Sequence, residues 1–137
     1  MSKTFTVEGD IASADTRTLL TTQGSVTAPS SVVPSGVTKI DKIIVGACSE
    51  GLADGAQSFF LRLGGAAVKN GEQTMMISAV GRIAPQAGSD SAPQLVNSIV
   101  FNDVDIEVSA SDTVTVAVEG AGTDTGTGRA VVTLVYA

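Results

Sequence analysis

The chain has 137 residues, of which 43% are apolar and only 16% charged, with a net charge of -6 and no histidine. That length is one ordinary domain, able to bury roughly two-thirds of its surface without staples. The acidic balance argues against binding of nucleic acid or an anionic membrane through a basic face. Four phenylalanines, one tyrosine and no tryptophan leave little to stack on bases or sugar rings. Cys48 is the single cysteine, so no internal disulfide forms, and without histidine it has no obvious base to make it a nucleophile.

Met1-Ser2-Lys3 runs directly into TFTVEGD, so no signal peptide is expected. No stretch approaches the roughly 18 apolar residues of a membrane span. Residues 4–8 (TFTVE) alternate, with Phe5 and Val7 on one face, and predict a short strand or extended arm. Residues 17–22 (RTLLTT) predict a second short strand. Residues 23–36 form a Ser/Pro/Gly/Thr loop in which Pro29 and Pro34 block ladder bonding.

The first long strand is expected at 38–48, with the run Ile43-Ile44-Val45 buried on both faces. Gly51, Asp54 and Gly55 mark a turn. Residues 58–63 (SFFLRL) place Phe59, Leu61 and Leu63 on one face and Phe60 and Arg62 on the other. Asn70-Gly71 predicts a type I′ hairpin between strands at 66–68 and 74–83. A loop at 84–93 leads to strands at 95–101 and 104–108, separated by the turn Asn102-Asp103.

The last quarter carries the clearest signal. Val114, Val116 and Val118 alternate with Thr113, Thr115 and Ala117, and Val132, Leu134 and Tyr136 alternate with Val131, Thr133 and Val135. Period two in β-branched residues means strands with distinct faces. Ser109-Ala110-Ser111-Asp112 is the turn into the first of them. A final strand this apolar belongs in the middle of a sheet.

About eight substantial strands, a short N-terminal one, and no helical period predict an all-β antiparallel sandwich of jelly-roll type. One domain is expected overall, with residues 1–37 as an N-terminal arm carrying short strands and a Pro/Ser loop and 38–137 as the jelly-roll sandwich.

The order KIDKIIVGAC, SFFLRLGG, SASDTVTVAVEG, a small-residue loop and GRAVVTLVYA resembles viral single-jelly-roll capsid and capsid-decoration proteins. Tumour-necrosis-factor-like and complement-type domains share the plan. The carrying features are Asp112 to Val118 and Val131 to Tyr136. Many jelly rolls have glycine before that aspartate, and here Ser111 stands in its place. The basic arm with which some capsid proteins hold genome is also missing, so no direct contact with nucleic acid is expected. The resemblance implies a virion structural protein, made in the host cytoplasm and assembled into the virion. Its partners would be itself, as a trimer or larger ring, and other capsid proteins.

Asp103, Asp105 and Glu107 stand at i, i+2 and i+4. On one strand they would share a face, as a solvated row or a place for structural Ca²⁺. No other cofactor is expected. Gly120 to Gly128 is rich in glycine but lacks Walker spacing, so it reads as a hairpin loop. Met75-Met76 suits a core or a contact between copies. Phe5, Val7 and Met76 are the candidate oligomer contacts. No constellation for acid–base or nucleophilic work is present, so the protein is expected not to be an enzyme. The alternative is a non-catalytic ligand- or carbohydrate-binding sandwich using loops 84–94 and 120–128.

Overall fold

The computed structural model describes residues 3–11, 17–21, 31–50, 56–81, 93–122 and 127–137. They form nine strands: β1 Lys3–Ile11, β2 Arg17–Leu19, β3 Lys39–Glu50, β4 Ala56–Gly64, β5 Gln73–Gly81, β6 Pro93–Phe101, β7 Ile106–Glu107, β8 Thr115–Gly122 and β9 Thr127–Tyr136. The first sheet has the order β1-β9-β3-β6, with the short β7 added beside β3. The second has the order β2-β8-β4-β5, and every strand pair is antiparallel. Leaving β7 aside, this interleaving of eight strands over two sheets is the jelly-roll plan. It places β9 between β1 and β3, as its apolar sequence required.

Period two decides what lies between the sheets. From β3, Ile40, Ile43 and Val45 point inward; from β4, Leu61 and Leu63; from β9, Val132 and Leu134. Each is at most 1% exposed. Truncating one of the leucines to alanine would cost about 2–5 kcal/mol, because a close-packed core relaxes only partly around the hole. One end of the sandwich is closed by chain that is not regular strand. There the Val33 N–H donates to the Asp112 carbonyl (2.8 Å), the Val108 N–H to that of Thr38 (2.9 Å) and the Ser109 N–H to that of Ala67 (2.8 Å).

Several local features differ from the reading above. The strand expected at 4–8 is present and longer: Lys3–Ile11 is β1, opposite β9 over its whole length from Lys3–Tyr136 to Ile11–Gly128. The short strand expected at 17–22 is β2, over Arg17–Leu19, at the edge of the second sheet. The middle of β3 is covered on one face only, since Ile44 is 38% exposed. The Asn70-Gly71 turn is not type I′, which needs positive φ at both residues; only Gly71 has it, at 82°. Residues 65–72 connect β4 to β5, and Val68 makes a single bridge to Val108 in place of a strand at 66–68. The loop between β8 and β9 is shorter than 120–128, because β8 continues to Gly122 and β9 starts at Thr127. Residues 84–92 of the other loop lie outside the described residues.

Candidate assembly surfaces

With the inner faces consumed by the core, what the molecule offers is its two outer faces and its strand edges. On the first sheet one row crosses all four long strands: Thr6 (β1), Thr133 (β9), Ile44 (β3) and Val100 (β6). The next row is Glu8, Val131, Gly46 and Ser98. Ile44, Val100 and Val131 are 38%, 49% and 40% exposed. A β-carbon on Gly46 would meet nothing within 4 Å, so the face dips between Val131 and Ser98. The Thr6 and Thr133 hydroxyls bond each other at 2.9 Å, and Arg129 Nη2 donates to Glu8 Oε1 at 3.0 Å. This face therefore carries apolar side chains in its middle and is hydrogen-bonded toward β1, where Thr6 meets Thr133 and Arg129 meets Glu8.

The outer face of the second sheet is built around Arg62, which stands opposite Ala117 on one side and Thr74 on the other. Its guanidinium donates to Glu119 Oε2 and to Thr74 Oγ1. Glu72 adds a carboxylate at 4.0 Å. The exposed Leu19 and Met76 flank this polar centre from β2 and β5.

The candidate contacts Phe5, Val7 and Met76 are not brought together. Phe5 and Val7 are 4% and 3% exposed, because their side of β1 faces the chain's own core, so they are corrected from contacts to core residues. Met76 stands on the outer face of edge strand β5, and Met75 packs against the core. The carboxylate row is not formed either. Asp103 and Asp105 have φ of 53° and 51°, outside strand geometry, and only Ile106–Glu107 is strand. With those kinks, alternate residues no longer share a face. Asp105 instead meets Lys39 Nζ at 3.1 Å, and Asp41 lies 3.6 Å from the same ammonium. The hydrogen bond and charge of Asp105, followed by the charge of Asp41, raise the Lys39 pKa above its ordinary value. Among the described residues no three metal-ligating side chains are grouped. No helix of the described residues is long and apolar enough to cross a membrane. The side chain of Cys48 lies outside the described residues.

The sequence-based reading passed over Ile44, Val100 and Val131. Their apolar identity was visible, but nothing in a single sequence says which sheet face a second layer will cover.

The fold and surfaces define an all-β jelly-roll sandwich. No protein family and no curated protein matches the chain by sequence. Among solved structures, it is similar to the Bacillus endospore appendages, a family of disulfide-linked pili. There the identity is 14%, covering 98% of this chain and 87% of that one, with a TM-score of 0.39. It is also similar to a structure of infectious bursal disease virus, Gt strain. In that case the identity is 9%, covering 98% of this chain and 35% of that one, with a TM-score of 0.38. Neither likeness bears on function.

Proposed function

We propose that this chain is a non-catalytic structural subunit that associates with copies of itself, as a capsid or capsid-decoration subunit covering a virion shell. The observation that carries the reading is the outer face of the first sheet, where Ile44, Val100 and Val131 stand exposed beside the Thr6–Thr133 and Arg129–Glu8 bonds that join β1 to β9. Removing such a surface from water is favourable at about 25 cal/mol per Å², and it asks for no chemistry from the side chains. The jelly-roll order supports the finer reading as a shell subunit, with copies of itself and other capsid proteins as partners.

The test is the solution mass by light scattering over a wide concentration range, with negative-stain imaging for rings or shells. A trimer or larger assembly that Ile44→Glu breaks down without unfolding is expected. A wild-type monomer at the highest concentrations would overturn the reading.

A further inference from the structure

Asn70-Gly71 sits in the connection between β4 and β5, and its two flanks are better held than its middle. Upstream, the Ala67 N–H donates to the Thr113 carbonyl at 2.9 Å and the Lys69 N–H to that of Glu107 at 3.1 Å. Downstream, Gln73 Nε2 donates to the Gly71 carbonyl at 3.0 Å. The Gly71 N–H reaches the Val68 carbonyl at 3.4 Å, longer than the usual range for such a bond. That bond closes a β-turn with Lys69 and Asn70 at its centre. Asn70 and Gly71 are both exposed, and a β-carbon on Gly71 would meet nothing within 4 Å.

An asparagine side chain is an electrophile within reach of the next residue's backbone nitrogen. For the two to meet, the backbone has to rotate about the asparagine Cα–C bond, and the nitrogen has to lose its proton. The chain has asparagines at 70, 97 and 102. Asn97 lies inside β6, where pairing with β3 at Ala47 fixes its backbone. Asn102 precedes Asp103, whose β-carbon crowds the nitrogen and whose carboxylate disfavours its deprotonation. Asn70 precedes a residue with neither a side chain nor a charge, in a turn closed by one long bond.

We propose that Asn70 is a site of spontaneous, charge-changing modification, in which attack by the Gly71 nitrogen converts it to aspartate and isoaspartate. The Gly71 N–H gives its proton to hydroxide, and the nitrogen lone pair forms a bond to Asn70 Cγ. The Cγ–Nδ2 bond breaks, and Nδ2 takes a proton from water and leaves as ammonia. Water then opens the cyclic imide. Attack at Cγ restores the ordinary backbone and gives aspartate; attack at the backbone carbonyl carbon leaves the chain running through Cγ and gives isoaspartate. No oxidant or reductant enters.

Either product adds one carboxylate, so a converted chain is one unit more negative than the -6 of the sequence. The new charge stands two residues from Glu72, which lies 4.0 Å from Arg62. The bonds of Ala67 and Lys69 lie upstream of the altered residue, so the end of the sandwich stays closed.

The test incubates the whole folded protein at neutral and mildly alkaline pH in water labelled with heavy oxygen. Isoelectric focusing follows the charge, and peptide mapping by mass spectrometry follows the residue. The expected result is an acidic species that forms faster as hydroxide rises, carries one labelled oxygen at residue 70 and contains both aspartate and isoaspartate. Asn70→Gln, whose longer side chain has to close a larger ring, should not form it. Opening the turn breaks one exposed hydrogen bond, so conversion in the folded protein should lie within about tenfold of that in the urea-unfolded chain. Stronger protection would mean that the turn holds the Gly71 nitrogen away from Asn70, and would overturn the proposal. Conversion of Asn97 or Asn102 as fast as that of Asn70 in the folded protein would overturn it too.

Discussion

Arg62 Nε and Nη2 both lie 2.8 Å from the same oxygen of Glu119, Oε2, on the outer face of the second sheet. Arg62 Nη1 reaches the other way to Thr74 Oγ1, so one planar side chain ties β8, β4 and β5 together. The two partners are only 27% and 24% exposed, so the pair is better shielded than an ordinary surface ion pair. Arg62→Ala leaves the Glu119 carboxylate half-buried without that donor. A loss of about 1–3 kcal/mol in urea unfolding is expected, and Arg62→Lys should recover little of it because a point charge cannot fork. A loss below about 0.3 kcal/mol in Arg62→Ala would reduce the pair to a solvated contact.

Tyr136 points into the core at 2% exposure, and its hydroxyl has no hydrogen-bond partner among the described residues. Burial pushes its pKa up from 10.0 to about 12. The folded value lies above the unfolded one, so the stability linked to the neutral phenol is fully present below pH 10. It is lost as the pH rises from 10 toward 12. Tyr136→Phe removes both the lone hydroxyl and this titration. At pH 7 the variant should be as stable as the wild type or more so, by about 1 kcal/mol. The wild type alone should show the extra decline between pH 10 and 12 in urea unfolding. Parallel pH profiles for the two proteins would show that the phenol is solvated.

Much of the fold was legible because period two is a local property. Val114, Val116 and Val118 and then Val132, Leu134 and Tyr136 all fall inside, as their alternation requires. What stayed hidden is non-local. β1 is tied to β9 across more than a hundred residues, and no local pattern at 3–11 names that partner. The run Ile43-Ile44-Val45 read as doubly buried, yet apolar identity cannot tell a covered face from one left open. The carboxylate row failed for a different reason: aspartate tolerates the left-handed region, and two such residues in three erase the alternation on which the row depended.

Two glycines should respond oppositely to alanine. Gly65 has φ of 94°, and a β-carbon there would stand 2.5 Å from the Thr113 carbonyl oxygen. That backbone belongs to the fixed end of the sandwich and has no room to give. Gly65→Ala should cost more than about 2 kcal/mol or prevent folding. Gly46, inside β3, has nothing within 4 Å of its added carbon, so Gly46→Ala should add about 0.5–1 kcal/mol by lowering unfolded-state entropy. Thermal unfolding of the two variants checks the pair, and equal responses would contradict the backbone assignment.

Ser111 stands where comparable turns often carry glycine, and its φ is 70°. An L-residue in that region costs roughly 1–2 kcal/mol against glycine, while glycine returns part of the gain as unfolded-state entropy. The Ser111 N–H donates to the Val33 carbonyl at 2.8 Å, and that bond survives the substitution. Ser111→Gly should therefore stabilise the protein by up to about 1 kcal/mol in urea unfolding. A clear loss would mean that the serine hydroxyl itself holds the turn.

The last prediction concerns calcium. Asp41 and Asp105 converge, but on the ammonium of Lys39, at 3.6 and 3.1 Å. That cation already occupies the place a metal would need, and a lysine ammonium is charged throughout the neutral range. A divalent ion would have to displace it and still find six or more oxygens. Thermal unfolding in calcium and in chelator should therefore coincide for the wild type. A calcium-dependent rise in Tm that Asp105→Asn abolishes would put a metal ion where the structure has Lys39.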